Sequence, residues 1–257
     1  MRGSIFLPLA LASAAGAVAW ASQPEPSSDQ KPSNQKGARP IAAAPVAQPV
    51  AVELFTSQGC SSCPPADAVM ERLARDPRVV AITRPVTYWD RLGWKDTLAR
   101  PANTELQRDY TRRGISGAGN YTPQTVVQGR HGLVGGREAA IRATIAQELR
   151  TPRPRIAIAG TPGQARTIVV QGETRPARIS VVALRRMVDV RIGSGENGGR
   201  RVRYANVLVD ETPVGAWGGG PMRMAIPAAA LRVAGADRYA VIVREGDAGP
   251  ILAARYL

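Results

Sequence analysis

From Ala51 onward the chain alternates short apolar runs with stretches of helical period. "AVELF" (51–55) is short enough for a strand. Residues 64 to about 75 place Val69, Met70 and Leu73 on one face of a helix. "RVVAITRPV" (78–86) predicts the next strand. "PANTELQRDYTRRG" predicts a helix with Pro101 near its start and Gly114 as its stop. "PQTVVQG" predicts a strand that "GRHG" turns around. "GREAAIRATIAQEL" carries Ala140, Ile141, Ile145 and Leu149 as the apolar stripe of a third helix. Strands alternating with helices predict an α/β domain on a central sheet over residues 50–150.

"RTPRPR" (150–155) breaks the last helix with two prolines, and the pattern then changes. "RIAIAG", "RTIVVQG", "ARISVVALRRMVDVRIG", "RRVRYANVLVD", "MRMAIP", "RYAVIVRE" and "ILAARYL" all predict strands. "GENGG" (195–199) predicts a hairpin turn between two long ones. No long helical period interrupts them. The expectation is a second, all-β domain over 151–257, most simply a small sandwich.

Ahead of Ala51 the pattern is of another kind. Arg2 precedes the apolar run "IFLPLALASAAGAVAW", and Ala19-Trp20-Ala21 matches a small-x-small cleavage site before Ser22. The run is short for a spanning helix, so residues 1–21 are expected to be a signal peptide. Only an uncleaved signal segment would give the protein a membrane contact. Residues 22–49, rich in Pro, Ser, Gln, Lys and Ala, predict a disordered linker. Export to the periplasm or beyond would place the chain where disulfides persist.

Composition changes little. The formal net charge is +14, which would suit a nucleic-acid partner. Lys31, Lys36 and Lys95 are the only lysines, so Arg supplies nearly all of the 34 basic residues, and they are spread along the chain. Scattered Arg is not a phosphate-binding face, and no nucleic-acid partner is expected.

The chemistry lies in "FTSQGCSSCPPAD" (55–67), which holds the chain's two cysteines. Cys60 and Cys63 stand between a predicted strand and a predicted helix. There, free N–H groups and the helix dipole favour a thiolate. The i, i+3 spacing lets one sulfur resolve a mixed disulfide formed by the other. Cys60 is the expected nucleophile and Cys63 the resolving thiol. A structural disulfide competes with this reading, but so short a loop constrains the unfolded chain by about 2 kcal/mol, against nearly 5 for a 100-residue loop. A structural zinc site would need four ligands, and the chain offers two Cys and one His. Cu(I) held by the two thiolates, with His131 assisting, stays open as an alternative. So does a binding protein without catalysis. No cofactor is expected. The expected partners are a protein or small-molecule thiol or disulfide and a redox partner protein.

Tyr121-Thr122-Pro123 stands just before the strand "QTVV". A Pro in that place can be cis. Between the motif and Pro123 lies "TYWDRLGWKDTLARP", whose Tyr88, Trp89 and Trp94 could pack a long loop or wall the thiol pair. With Tyr121 they are the candidate substrate-binding residues. Asp90, Lys95 and Asp96 are candidate polar contacts or proton acceptors for Cys63, whereas Asp67 reads as a first-turn helix carboxylate. Glu53 could relay a proton if buried beneath the motif. Glu196, Asn197 and Arg200 read as turn residues.

"VELFTSQGCSSCPPAD", "YWDRLGWKDTLA", "YTPQTVVQG" and "GENGGRRVRYANVLVD" together resemble an uncharacterised family of exported bacterial thioredoxin-like proteins, the domain of unknown function 1223. The resemblance extends from about Val52 to Leu257. It implies an α/β thioredoxin-like domain ahead of the β-sandwich-like one, with Pro123 packed against the CxxC and the Thr122 backbone open to a substrate strand. It implies no particular substrate. Gly59 precedes Cys60 where the simplest thioredoxin pattern has an aromatic residue, and Pro64 and Pro65 follow Cys63. Because a residue before Pro avoids helical angles, the helix is expected to begin only around Cys63.

Overall fold

The computed structural model describes residues 48–160, 166–173 and 176–257. The expected signal peptide, and all of the expected linker but its last two residues, lie outside them.

The chain enters through β1 (Val50–Thr56), all of it buried. α1 (Pro64–Leu73) follows, with Pro64 in the first turn and Cys63 as its N-cap. A proline there loses no hydrogen bond, because the first N–H groups of a helix have no intrahelical partner. β2 (Val79–Pro85) pairs in parallel with β1, from Val50 opposite Val79 to Thr56 opposite Pro85. α2 (Pro101–Arg112), β3 (Gln124–Val127), β4 (His131–Val134) and α3 (Glu138–Arg150) complete the first half. The second half supplies β5 (Arg155–Ala159), β6 (Thr167–Gln171), β7 (Ala177–Arg191), β8 (Arg201–Trp217), β9 (Met222–Ala225), β10 (Arg238–Glu245) and β11 (Ile251–Tyr256).

The elements match the periodicity closely; their assembly does not. One mixed sheet of eight strands runs β11-β10-β7-β8-β2-β1-β3-β4, and a second sheet of three strands runs β5-β6-β9. The expected architecture, an α/β thioredoxin-like domain followed by a small all-β sandwich-like domain, is therefore overturned. The joint is between β8 and β2, which pair in parallel at Thr83 and Val207. Thr83 Oγ1 also donates to the Ala205 carbonyl at 2.6 Å.

Alternation explains how one sheet serves both halves. Val50, Val52 and Leu54 of β1 face Val69, Met70 and Leu73 of α1 and Ile141 and Ile145 of α3. Ala51, on the opposite face, shares a core with Val80 and Ile82 of β2, Val182 and Leu184 of β7, and Ala240 and Ile242 of β10. The sheet thus curls so that β1 and β2 face β7 and β10 across a shared interior. The Ile251 N–H donates to the Gln128 carbonyl at 2.8 Å, and Gln128 Nε2 returns a bond to the Ile251 carbonyl at 2.7 Å. Val241 and Val243 point outward from β10, onto Ile156 of β5 and Ile168 and Val170 of β6. Each such aliphatic side chain contributes roughly 1.5–3 kcal/mol on burial. A one-residue slip of β10 would exchange its two apolar faces and is opposed on both.

Candidate functional site

Cys60 and Cys63 are joined as a disulfide, with Cα atoms 5.4 Å apart. Both are fully buried, while Ser61 and Ser62 between them are exposed. The Cys63 N–H donates to the Cys60 carbonyl at 3.1 Å, and the Cys63 carbonyl accepts from Ala66 and Asp67 as the first turn of α1. Cys60 therefore lies ahead of the helix, as the two prolines suggest. Its sulfur stands 3.4 Å from Ser62 Oγ, on the side where the motif meets solvent.

The 86–100 loop closes one side. Gly59 packs tightly under this loop, since an added Cβ would stand 3.3 Å from the Trp89 Cβ. Trp89 Nε1 donates to Thr122 Oγ1 at 2.8 Å. Trp94 Nε1 donates to Gln58 Oε1 at 2.8 Å. Both tryptophans thus bracket the motif from one loop. The Thr122–Pro123 bond is cis. Pro123 is buried against Gly135, where an added Cβ would meet the Pro123 Cβ at 2.9 Å, Leu54 Cδ1 at 3.0 Å and the α1 residue Ala66 at 3.1 Å. Tyr88 and Tyr121 are held differently. The Tyr88 hydroxyl donates to Gln107 Oε1 at 3.2 Å. The Tyr121 hydroxyl donates to the Gly117 carbonyl at 3.0 Å, and the Tyr121 carbonyl accepts from Gln107 Nε2 at 2.7 Å. Tyr88 thus ties the 86–100 loop to α2, and Tyr121 ties the 115–124 segment to it; neither bond reaches the cysteine motif.

Two carboxylates exchange the parts that the sequence suggests for them. Glu53 is buried, but its oxygens are occupied. Arg84 Nε donates to its Oε1 at 2.7 Å, Arg244 Nη2 to the same oxygen at 2.9 Å, and the Tyr110 hydroxyl to Oε2. Burial alone pushes its carboxyl up; the charges of Arg244 and Arg84 and the Tyr110 bond outweigh it and hold the carboxyl below its ordinary value. That makes Glu53 a fixed anion in an ionic cluster. Asp67 is the opposite case. Thr56 Oγ1 donates to its Oδ1 at 2.8 Å, while its buried Oδ2 has no partner. Burial, reinforced by the nearby Asp96 charge, pushes the Asp67 carboxyl well up despite the Thr56 bond. The helix thus carries, one turn beyond Cys63, a buried carboxyl that is harder to ionise than an ordinary aspartate. Asp96 is also buried and accepts the Gln58 N–H at 2.8 Å. Burial pushes its carboxyl up too, against its bonds from backbone amides.

The Asp67 carboxyl fixes a sign. Its folded value lies above the unfolded value of 3.8. Its contribution to stability is complete below the unfolded value and is lost as pH rises through the folded one. Asp67→Asn removes that loss. The melting temperature of the variant, relative to the parent, is expected to climb as pH is raised from about 4 to about 8. A difference that stays flat with pH contradicts the assignment.

The residues that sequence reasoning missed come from the far end of the β7–β8 hairpin. Asn197 is buried, and its Nδ2 donates to the Gln58 carbonyl at 3.0 Å and the Cys60 carbonyl at 2.8 Å. Glu196 Oε2 accepts the Ser61 N–H at 3.0 Å. "GENGG" signals a turn in the sequence, and nothing there says where the turn lands. Among the described residues no cluster of three or more His, Cys, Asp or Glu could hold a metal ion. His131 lies instead against Glu148 Oε1 at 3.0 Å. A cleft of about 470 Å³ beside α2 is lined by Arg84, Arg100, Asp210 and Glu211 among others. Neither cysteine lines it. No described helix is long and apolar enough to cross a membrane.

A curled mixed sheet that delivers a buried CxxC disulfide to the head of a helix defines the class. The family model described as "Protein of unknown function (DUF1223)" matches residues 51–244, and the chain belongs to this family. The crystal structure of protein AGR_C_4864 from Agrobacterium tumefaciens is 30% identical, with a TM-score of 0.71, over 83% of this chain and 96% of that one. HBP35 of Porphyromonas gingivalis is similar in fold alone, at 15% identity and a TM-score of 0.54, over 82% of this chain and 74% of that one. No curated protein matches.

Proposed function

We propose that the protein is a thiol-disulfide oxidoreductase that works through Cys60 and Cys63 in an exported, oxidising compartment. The observation that carries this reading is the pair itself: a disulfide across a separation of three residues, at the head of a helix. Its loop is too short to constrain the unfolded chain by more than about 2 kcal/mol, so its value is better explained by chemistry than by stapling. In the oxidising direction a substrate thiolate attacks one sulfur, the Cys60–Cys63 bond breaks, and the leaving thiolate takes a proton. A second substrate thiolate then attacks the mixed disulfide and releases oxidised substrate and the dithiol protein. Two electrons pass from substrate to protein, and the reverse sequence reduces a substrate disulfide. Asp67 is suited to hold the proton that Cys63 gains or loses. Trp89, Trp94 and the Thr122–Pro123 segment are suited to shape the approach of a partner thiol. Burial of both sulfurs favours a partner that reaches the pair past the exposed Ser61 and Ser62.

The test is brief alkylation of the fully reduced protein, followed by mass mapping. Cys60, ahead of the helix and beside Ser62, is expected to label first. Labelling of Cys63 first reverses the two roles. Failure of either thiol to exchange with glutathione disulfide removes the reading.

A further inference from the structure

The exchange chemistry leaves the tip of the β7–β8 hairpin unexplained. Ile192 and Val202 anchor its base in a core cluster with Tyr204 and Val207. Trp94 lies against it so closely that a Cβ on Gly193 would stand 2.8 Å from Trp94 Cζ3. Ser194 Oγ donates to the Gly93 carbonyl at 2.6 Å. Gly195 and Gly199 have φ of 75° and 81°, which a tight tip needs and other residues rarely adopt. The result is a rigid arm from a distant part of the chain that sets two polar side chains on the motif. Asn197 holds the Gln58 and Cys60 carbonyls, and its own Oδ1 accepts from Arg200 Nη1 at 3.0 Å. Glu196 takes the Ser61 amide, which is bonded directly to the carbonyl carbon of Cys60.

We propose that Glu196 is a positioning residue that tunes the pair: its carboxylate, held on the Ser61 N–H, keeps a negative charge against Cys60, disfavours the Cys60 thiolate and biases the couple toward the disulfide. The proposal rests on the exchange reading above and deepens it. An amide that could face a thiolate is given instead to a fixed anion, and a like charge nearby raises the cost of ionising a thiol. Asp90 and the exposed Lys95 lie in the 86–100 loop, where Asp90 Oδ1 accepts the Asp96 N–H at 3.1 Å. Asp96 reaches the motif from the same loop through the Gln58 N–H, Asp67 lies behind Cys63 in α1, and Tyr204 approaches from β8. Arg200, at the tip of the hairpin beside Arg201, is engaged by Asn197. Burial pushes Asp67 and Asp96 up. The bonds from the Ser61 hydroxyl and amide pull the Glu196 carboxyl down, so this exposed group stays charged across the neutral range.

Glu196→Gln keeps an oxygen for the Ser61 amide and removes the charge. Reduced parent and variant are alkylated with the neutral reagent iodoacetamide across pH, and Cys60 is followed by mass. The variant's rate at pH 7 is expected to rise about threefold, because a larger thiolate fraction is partly offset by lower intrinsic nucleophilicity. Its pH profile is expected to move to lower pH, by less in concentrated salt. Asn197→Ala, which loosens the clamp without changing charge, separates charge from access. Looser packing alone speeds labelling at every pH and leaves the profile in place. A Glu196→Gln profile that superimposes on the parent, or that merely rises like Asn197→Ala, overturns the proposal. Alkylation needs only a free thiol, so it gives an answer whether or not the pair exchanges. Failure of the parent to exchange with glutathione disulfide strikes the exchange reading alone.

Discussion

Arg244→Ala is expected to remove about 3–5 kcal/mol of folding stability, a large share of the roughly 5–15 kcal/mol that holds a domain folded. Arg244 and Glu53 are almost fully buried and paired at 2.9 Å. Arg244 also donates to the Tyr110 hydroxyl. The same Glu53 oxygen accepts Arg84, which continues to Glu211 Oε2 at 2.6 Å. One ionic cluster thus joins β1, β2, β8 and β10, strands from both sequence halves of the single sheet, and ties α2 to them through Tyr110. Removing Arg244 leaves a buried carboxylate with one cation where it had two. The pair itself need not be worth that much, because both charges gave up water to be there. The double variant Glu53→Gln, Arg244→Met is accordingly expected to lose less than the sum of the two single losses. Urea unfolding of the parent, Arg244→Ala, Glu53→Gln, Arg244→Met and the double variant decides both points. A loss below about 1 kcal/mol for Arg244→Ala would make this a surface-like ion pair and contradict the burial. Glu53 fixes the pH dependence. Its carboxyl is held below the unfolded value of 4.5, so the cluster contributes above that value and is lost as pH falls through the folded one.

Cys60→Ser gives the opposite division of effects. Exchange with glutathione disulfide is expected to fall to the uncatalysed background, while stability falls by about 2 kcal/mol or less, the value of so short a loop. Cys63→Ser is expected to leave an attacking thiol without its resolving partner and to accumulate a mixed disulfide at Cys60. Intact mass, with one glutathione added per chain, reads this directly. Accumulation at Cys63 in the Cys60→Ser protein instead would exchange the roles and keep the chemistry.

The periodicity of the chain is enough to find nearly every element. Ile141 and Ile145 repeat at the helical period and lie buried in α3; Val241 and Val243 alternate with Ala240 and Ile242 and face opposite cores. Local patterns report which face is buried, not what it is buried against. The Val182 and Leu184 face of β7 reads equally well as one wall of a separate sandwich, and only long-range pairing shows that it faces β1 and β2. The cysteine motif is legible because its chemistry is local. Its surroundings are not. Asp67 looks like an ordinary first-turn carboxylate until Thr56 and the sheet enclose it. Glu53 looks free until Arg84 and Arg244 arrive from 31 and 191 residues away. Asn197 meets Cys60 across 137 residues of chain.

The reduction potential of the Cys60–Cys63 couple tests the central claim most directly. The purified protein is equilibrated in glutathione or dithiothreitol buffers of graded poise, acid-quenched and weighed, with circular dichroism recorded on the same samples. The expected result is one reversible two-electron transition, between about −300 and −100 mV, with the fold intact on both sides. A couple that stays oxidised below about −300 mV, or that is reduced only as the protein unfolds, would make the bond a structural one and contradict the account.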